Sequence, residues 1–498
     1  MQISDCASLL NLDHQTQKGL ASDSRHLSNL TPDTRQVTPE SCFVAIKGAH
    51  FDGHQHVQAA IDAGAIMVVV EHPVSAGGAL IVQVPDTHKA LAQLAVVFFN
   101  DPSAEMKVFG VTGTNGKTTV THLIAKILSV ARLDCGVIGT LYAKGGQVQH
   151  AAANTTPDPF ANQQYLSEML HAGKKACAME VSSIGLDQGR VGGIDFDTAV
   201  FTNLTEDHLD YHKTFEAYFE AKALLFEQLG NSYHHGRKAK TAVINIDDPY
   251  GQRLVDRTAA NVLTYGTKGR GMLQARNIRV SNRGTSFQLR IAGHSYPVHL
   301  QLMGEFNVYN ALAAFGATYV HGIAPEVIIS ALESMTGVRG RFEVILHAGS
   351  ATVIVDYAHT PDGLANVLST IKRFAKHRVF CVVGCGGDRD VEKRPQMATI
   401  ALQSATDPIF TADNPRCEDP EAIIDQMVQG LDPATYTRLG DRRQAISYAL
   451  SMAKVGDVVL IAGKGHETYQ IIGTTKHHFN DAEVVRHYFA ANTVQKQA

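Results

Sequence analysis

The sequence predicts an α/β protein with about three domains, in which parallel strands alternate with helices. A chain of 498 residues is too long for one ordinary core. Short runs rich in Val and Ile recur, and amphipathic stretches follow several of them, which is typical of parallel strands buried on both faces. The predicted strands are 108–112, 176–181, 198–202, 242–245, 352–355, 379–383, 408–411 and 458–462, and the clearest helices are 119–128, 216–229 and 362–374.

Two boundaries divide the chain into predicted domains 1–105, 106–342 and 343–498. The first boundary follows the turn signal Asn100-Asp101-Pro102-Ser103, and the second follows the segment Gly337–Arg341, which comes after a helical run ending at Met335. The end of the chain, up to Ala498, is expected to be a frayed helix end.

Composition and charge are those of a soluble globular protein without a nucleic acid or a membrane as its main partner. The formal net charge of -4 gives no reason to expect a nucleic acid or an anionic membrane as the main partner. No apolar run approaches the ~20 residues that span a bilayer, and the start does not have the pattern of a signal peptide. The seven cysteines are dispersed without a C-x-x-C pair, so reduced thiols and a cytoplasmic location are expected. The pairs His234-His235 and His477-His478 are interpreted as solvated surface histidines rather than metal ligands.

Polar clusters come directly after the predicted strands. In parallel α/β proteins the loops at the carboxyl ends of the strands are where ligands bind. The sequence therefore predicts a ligand site lined from more than one domain. The clusters are 113–119, 182–183, 203–212, 356–362, 384–394, 413–418 and 463–467.

The strongest local signal lies between a predicted strand and a predicted helix, and it reads Gly113-Thr114-Asn115-Gly116-Lys117-Thr118-Thr119. Glycines let the backbone fold around phosphates, and a helix N-terminus points N–H groups at them. Lys117 is expected to reach the β- and γ-phosphates, and Thr118 is expected to bind Mg²⁺. Val111 occupies the place of the first glycine in the strict phosphate-loop pattern.

Two further residues are candidate metal ligands. Glu180 ends an apolar strand, and His208 lies in a polar cluster after the next strand. Neither residue is specific alone, because such a carboxylate is sometimes a helix cap and a lone histidine is more often structural. Mg²⁺ prefers oxygen, so a histidine ligand makes Mn²⁺ an alternative. Lys222 lies in a strongly helical segment, and its spacing alone indicates a solvated lysine.

These residues resemble the Mur ligases, which build the peptide stem of peptidoglycan, and in particular the type that adds the third residue. The family's phosphate loop is itself shortened, which accounts for Val111. The remaining matching segments are Asn154-Thr155-Thr156-Pro157, Met179-Glu180-Val181-Ser182-Ser183, Asp207-His208-Leu209-Asp210-Tyr211-His212, Asn307-Val308-Tyr309-Asn310, Gly340-Arg341-Phe342-Glu343, Asp356-Tyr357-Ala358-His359-Thr360-Pro361, Asp413-Asn414-Pro415-Arg416 and Gly463-Lys464-Gly465-His466-Glu467.

The resemblance implies an N-terminal domain for the uridine diphosphate, a central ATP-binding domain with a phosphate-loop sheet, and a C-terminal Rossmann-like domain for the amino acid. The implied catalytic residues are Lys117, Glu180, His208 and Lys222. The metal ion would be bound by Thr118, Glu180 and His208, and Lys222 would be carbamylated. Residues implied to contact ATP are Gly113, Thr114, Asn115, Gly116, Lys117, Thr118, Thr119, Asn310, Arg341, Asp356 and His359. Residues implied to hold the UDP-muramoyl peptide are Thr34, Thr155, Thr156, Ser182, Gln188 and Arg190. The enzyme is expected to act as a monomer.

The added amino acid is predicted to be meso-diaminopimelate. This molecule differs from lysine by a distal carboxylate, which an arginine can bind through two parallel hydrogen bonds. Arg416 supplies such a cation, and the diaminopimelate-adding enzymes resemble this motif, although a surface ion pair is the plainer interpretation. The implied contacts with the amino acid are Arg389, Asp413, Asn414, Pro415, Arg416, Gly463 and Glu467.

The implied reaction is ATP-dependent ligation through an acyl phosphate. Alternatives are a lysine-adding ligase of the same family, folylpolyglutamate synthase, and a phosphate-loop NTPase that couples hydrolysis to motion. The segments Asn154–Pro157 and Asp413–Arg416 speak against folylpolyglutamate synthase.

Overall fold

The computed structural model describes residues 1–10, 12, 14–48, 51–152, 154–230, 239–281, 283–345 and 350–495. The predictions for His234, for His235 and for the chain end beyond residue 495 lie outside these residues. His477 and His478 are exposed, as predicted, but they lie on a short strand. Among the described helices, none is long and apolar enough to cross a membrane.

Helices and strands alternate along most of the chain, which confirms the predicted α/β class. The helices are α1 (Ile3–Leu9), α2 (His14–Ala21), α3 (Val57–Asp62), α4 (Thr87–Phe98), α5 (Pro102–Glu105), α6 (Lys117–Val130), α7 (Pro159–His171), α8 (Ser183–Asp187), α9 (Leu209–His212), α10 (Phe215–Glu227), α11 (Pro249–Val255), α12 (Glu305–Tyr319), α13 (Pro325–Glu333), α14 (Pro361–Lys372), α15 (Lys393–Ser404), α16 (Pro420–Val428), α17 (Arg442–Met452) and α18 (Asp481–Gln495). The strands are β1 (Asn29–Thr31), β2 (Ser41–Val44), β3 (Ala65–Val70), β4 (Leu80–Gln83), β5 (Lys107–Thr112), β6 (Cys135–Ile138), β7 (Tyr142–Lys144), β8 (Gln149–Ala151), β9 (Ala176–Glu180), β10 (Thr198–Phe201), β11 (Thr241–Asn245), β12 (Asn261–Gly266), β13 (Leu273–Ser281), β14 (Gly284–Ile291), β15 (His294–Leu300), β16 (Glu343–Ile345), β17 (Thr352–Asp356), β18 (Val379–Val383), β19 (Asp407–Phe410), β20 (Thr437–Arg438), β21 (Val458–Ala462), β22 (Tyr469–Ile472) and β23 (Thr475–His478).

The chain forms two compact units that do not follow simple sequence order. Unit one comprises Met1–Thr112, Arg132–Ala199 and Gln228–Lys240. Unit two comprises Gly113–Ala131, Val200–Glu227 and Thr241–Ala498. The predicted boundaries near residues 105 and 342 stay predictions.

Unit one contains a parallel sheet in the order β1-β2-β3-β4. It also contains the strand series β5-β9-β6-β7-β8, in which β5, β9 and β6 run parallel and β7 and β8 are antiparallel additions. Helices α4 and α5 pack against α7. Strand β9 is buried along its whole length, so its last residue, Glu180, ends a well-packed strand.

Unit two contains two strand series. In the series β15-β14-β13-β12-β11-β10, strands β11 to β13 run parallel and β13 to β15 are antiparallel. A separate six-stranded sheet has the order β16-β17-β21-β18-β19-β20 and is parallel except for β16. Because this sheet is parallel, the loops after β17, β18, β19 and β21 meet at one edge.

The six-stranded sheet is apolar on both faces because both faces are covered. Ile354 and Leu460 belong to one apolar core, whereas Val353 and Val459 belong to the other. Successive side chains of a strand point to opposite faces, so this double burial requires a continuous apolar run. It explains why the pattern of Val and Ile predicted these strands well.

Candidate active site

The phosphate loop approaches its neighbours so closely that two of its positions require glycine. Gly113 has φ +144°, and a Cβ there would lie 1.9 Å from the Thr202 hydroxyl. Gly116 has φ +92°, and a Cβ there would lie 2.4 Å from Asn310 Oδ1. These backbone conformations are strained for any other residue. The loop therefore leads into α6 in a fixed shape.

Asn203, which follows β10, holds the loop in that shape. Its backbone oxygen accepts a hydrogen bond from the Thr114 N–H at 2.9 Å, and its side-chain oxygen accepts one from the Asn115 N–H at 2.9 Å. The Thr202 hydroxyl donates to the backbone oxygen of Asn115 at 2.6 Å. The side-chain amide of Asn115 donates to the Asp362 carboxylate at 3.0 Å. The loop is thus organised by its own chain.

Lys117 and Thr118 begin α6, where helix N–H groups favour an anion. The Lys117 ammonium donates to the backbone oxygens of Gly113 and Thr114 at 2.8 and 2.9 Å, so it curls over the loop. The buried Thr118 hydroxyl accepts a hydrogen bond from the Arg341 guanidinium at 3.0 Å. Both side chains therefore lie at the N-terminus of α6, and Thr119 is buried beside them.

Arg341 and His359 lie against the ring of Tyr357, and Asp356 directly precedes this tyrosine. The Arg341 guanidinium carbon lies 4.5 Å from the ring centroid, and the His359 ring lies 4.6 Å from it. Burial raises the pKa of Asp356 to about 6, although its carboxylate accepts a 2.6 Å hydrogen bond from the Phe342 N–H. Burial also lowers the pKa of His359. The structure thus brings these predicted ATP contacts together.

Lys222 is buried with only 1% of its surface exposed, so the solvated-lysine interpretation was wrong. It faces inward from α10, and its ammonium donates to the Gly113 oxygen at 3.0 Å and lies 4.5 Å from the Tyr218 ring centroid. Burial, and then the nearby charge of Lys117, lower its pKa well below the ordinary value. A neutral amine is nucleophilic, so this lysine can react with carbon dioxide to form a carbamate.

His208 is held in the left-handed region, with φ +57°, just before α9. Burial lowers its pKa to about 4, against the opposing effect of the Asp207 carboxylate, which lies 3.5 Å from Nε2. The imidazole is therefore neutral at pH 7 and has a lone pair for a metal ion.

Glu180 lies in unit one, where it ends β9 fully buried. Its two oxygens accept hydrogen bonds from the Thr140 N–H at 2.8 Å and the Thr140 hydroxyl at 3.0 Å. A Cβ on Gly139 would lie 2.2 Å from Glu180 Oε1, so the preceding loop also fixes the carboxylate. This carboxylate is oriented by its neighbours, which suits a metal ligand.

Five predicted substrate contacts in unit one form a hydrogen-bonded cluster around Thr156. The Thr156 hydroxyl donates to the backbone oxygen of Glu180 at 3.0 Å and accepts a hydrogen bond from the Ser182 N–H at 2.9 Å. The Arg190 guanidinium donates to the Thr156 oxygen at 2.9 Å and to Gln188 Oε1 at 2.7 Å. Thr155 joins the cluster through a 3.1 Å contact with the Thr140 hydroxyl.

Two other features of unit one are relevant to the predicted UDP-muramoyl peptide. Thr34 begins a short 3₁₀ helix, Thr34–Gln36, whose N-terminus is capped by Asp33. A pocket beside the Thr156 cluster is lined by Gly139, Ala143, Ala151, Ala152, Asn154, Pro157, Asp158, Ala161 and Tyr165.

Except for Arg389, the predicted amino-acid contacts follow β19 and β21 in unit two, and side chains of the loop after β19 contact the loop after β21. Gly463 has φ +111°, and a Cβ there would lie 2.6 Å from Asp413 Oδ2. The Asn414 amide donates to Glu467 Oε2 at 2.9 Å. The structure therefore joins two of the segments that the sequence placed at separate strand ends.

Arg416, next to Pro415, also has a left-handed backbone, with φ +52°. Hydrogen bonds with strand β22 and the turn after it hold its backbone: its N–H donates to Ile471 and its oxygen accepts from Gly473. The guanidinium donates to the Gly387 oxygen at 2.7 Å. Arg389, on the facing loop, is exposed and donates to the Asp388 oxygen at 3.1 Å. Both cations thus lie at the loop after β18.

Sequence reasoning missed several residues that hold the site. Asn203 fixes the phosphate loop, and its signal was its place at the start of a polar cluster. Fully buried Arg394 donates to both oxygens of Glu418 and to the Gly386 oxygen, so it links the loops of Arg389 and Arg416. Lys464 lies in the matching segment Gly463–Glu467, but the sequence predicted no role for it.

Three family models match the chain. The model of the Mur ligase family, catalytic domain, matches residues 26–99. The Mur ligase middle domain matches 111–318, and the Mur ligase, glutamate ligase domain matches 340–465.

Individual relatives match nearly the whole chain. A UDP-N-acetylmuramoyl-L-alanyl-D-glutamate--2,6-diaminopimelate ligase of Lactiplantibacillus plantarum is 52% identical over 94% of this chain and 95% of its own length. The Bacillus cereus protein of the same name is 48% identical over 93% and 94%. A solved structure with that name superposes with a TM-score of 0.68 at 34% identity and covers 99% of both chains.

Proposed function

This chain belongs to the Mur ligase family of ATP-dependent ligases, and on that premise we propose that it adds meso-2,6-diaminopimelate to UDP-N-acetylmuramoyl-L-alanyl-D-glutamate. The names of the relatives support this choice of substrates, since these relatives match more than nine-tenths of the chain. The cytoplasmic location and the monomeric state belong to the same proposal.

The shape of the phosphate loop is the main support for the proposal. Gly113 and Gly116 adopt backbone conformations that strongly favour glycine, and Lys117 curls over the loop at the start of α6. A loop held in this shape by its own chain binds phosphates without further ordering. We infer that it holds the β- and γ-phosphates of ATP, with Asn310 and Arg341 beside it.

The proposed reaction has two steps. A D-glutamyl carboxylate oxygen bonds to the γ-phosphorus as the bond from that phosphorus to the bridging oxygen breaks, which gives an acyl phosphate and ADP. Lys117 offsets the charge of the transferring phosphoryl group. The neutral amine of the amino acid then attacks the acyl carbon, the bond to the phosphate oxygen breaks, and the amine loses a proton as phosphate leaves.

The residues present fit Mg²⁺, with Mn²⁺ as an alternative. In unit two, Thr118 offers an oxygen, His208 offers a neutral nitrogen, and a carbamate on Lys222 would add two further oxygens. In unit one, Glu180 offers a carboxylate. When bound, the metal would neutralise charge on the phosphates. Burial lowers the pKa of Lys222 well below its ordinary value, which favours the neutral amine that carbamate formation requires.

Arg416 supports diaminopimelate over lysine. Backbone hydrogen bonds hold the Arg416 residue in its loop, and its guanidinium donates to the Gly387 oxygen. The planar guanidinium can also donate two parallel hydrogen bonds to a distal carboxylate. Glu467 offers a carboxylate to an ammonium group. We propose that Arg389, Asp413, Asn414 and Gly463 complete this site.

An amino-acid panel tests the proposed function. Phosphate release would be followed with ATP and the UDP-dipeptide, alone and with diaminopimelate, lysine or glutamate. We expect release only when both the UDP-dipeptide and diaminopimelate are present. Comparable release with ATP alone would indicate an NTPase, and preference for lysine would indicate the lysine-adding type.

A further inference from the structure

Lys464 is fully buried and has no role in the predicted site. It lies in the loop after β21, next to Gly463. Its ammonium donates to Glu467 Oε2 at 2.7 Å and to Asn414 Oδ1 at 3.0 Å. Both acceptors are proposed contacts of the amino acid, and they come from different loops.

A buried ammonium is costly to desolvate and persists in a fold only when it is paired. Lys464 has three donors and no acceptor. Two of these donors meet Glu467 and Asn414, and the ammonium lies 5.8 Å from the Tyr469 ring centroid. The charge of Lys464 is therefore directed into the amino-acid site rather than into solvent.

The contact with Lys464 also determines the orientation of the Asn414 side-chain amide. Asn414 Oδ1 accepts from Lys464 and from the Ile471 N–H at 2.9 Å, so the amide nitrogen must face Glu467. Lys464 and Asn414 both donate to Glu467 Oε2, and Glu467 Oε1 takes part in neither bond. The Glu467 side chain, 13% exposed, is thus held at one oxygen.

We propose that Lys464 is a positioning residue for the incoming amino acid, which holds Asn414 and Glu467 so that Glu467 Oε1 is left to accept a hydrogen bond from an ammonium group. The inference rests on the proposed function and adds a residue to it. A carboxylate already held in place binds its partner without a further ordering cost.

The variant Lys464→Met tests this role, because it keeps an unbranched side chain, one atom shorter, and removes the charge. The full chain would be assayed with the amino acid that the unmodified enzyme adds. We expect the KM for that amino acid to rise about tenfold, the scale of one charge-assisted hydrogen bond, while the KM for ATP stays within about twofold. Lys476→Met is the matched control: Lys476 is exposed on β23, 4.3 Å from the Tyr469 ring centroid, and its loss should change neither KM.

A double-mutant cycle separates positioning from a general structural role. If Lys464 acts through Glu467, then Lys464→Met should add little to the amino-acid KM of Glu467→Gln. Additive effects, or an equal rise in the KM for ATP, would overturn the proposal.

A second variant covers the case in which Lys464→Met does not fold, as judged by thermal unfolding. Lys464→Arg keeps the buried charge but places it differently, so an intermediate rise of about threefold in the amino-acid KM is expected. An unchanged amino-acid KM in a folded variant contradicts the proposal. Failure of the unmodified enzyme to use diaminopimelate would count against the proposed function instead, because the comparison uses whichever amino acid is added.

Discussion

Replacing Arg416 by alanine should reduce the selection of diaminopimelate over lysine. The guanidinium donates to the Gly387 oxygen and would bind the distal carboxylate that lysine does not have. A hydrogen bond to a charged group contributes about 1.5–3 kcal/mol, so loss of the pair should cost diaminopimelate about 2 kcal/mol or more. Since about 1.4 kcal/mol is a tenfold change, the ratio of kcat/KM for diaminopimelate to kcat/KM for lysine should fall about 30-fold.

The assay is phosphate release with the two amino acids side by side, at saturating ATP and UDP-dipeptide. Arg416→Lys is the control for charge: it keeps the cation and loses the planar fork, so its selectivity should lie between those of Arg416→Ala and the unmodified enzyme. Arg389→Ala is the control for position, because Arg389 is exposed, and its effect should be smaller. An unchanged ratio in Arg416→Ala would refute this account of specificity.

Three further predictions concern the phosphate loop and its surroundings. Lys222→Ala should lower kcat about a hundredfold, as for other groups that support a metal, and small carboxylates should partly restore it; near-normal turnover would argue against a carbamate. Gly116→Ala should raise the KM for ATP at least about tenfold, because its Cβ would meet Asn310 Oδ1 at 2.4 Å and the backbone has φ +92°; an unchanged KM would show that the loop can shift. Asp356→Asn should stabilise the fold by about 1–3 kcal/mol at pH 8 in denaturant unfolding, since burial raises the pKa of Asp356 to about 6 while an amide can still accept from Phe342. Because the folded-state pKa lies above the unfolded one, the ionised carboxylate costs stability above pH 6, and the gain should shrink as the pH falls through 6; a gain that is constant with pH would contradict this cause.

The strands near the site could be predicted because they are buried on both faces. Strands β18 and β21 match the predicted runs to the residue, and the other predicted strands near the site differ by one residue at one end, or at both ends for β19. The antiparallel strands β13–β15 were not predicted, since their half-exposed faces interrupt the apolar runs.

Side-chain environments were harder to predict than strands. Helical spacing indicated a solvated Lys222, yet the helix turns this lysine inward against the phosphate loop. Lys464 and Arg394 also form ion pairs in the folded chain, with Glu467 and Glu418. Local sequence contains no measure of how a distant loop packs, so charged residues in the interior could be found only from the fold.

Phosphate binding by the loop 113–119 is the central claim, and a crystal structure with a non-hydrolysable ATP analogue tests it most directly. We predict that the β- and γ-phosphate oxygens lie about 3 Å from the loop N–H groups and from the Lys117 ammonium. An analogue that is bound elsewhere, with the loop empty, would contradict the account.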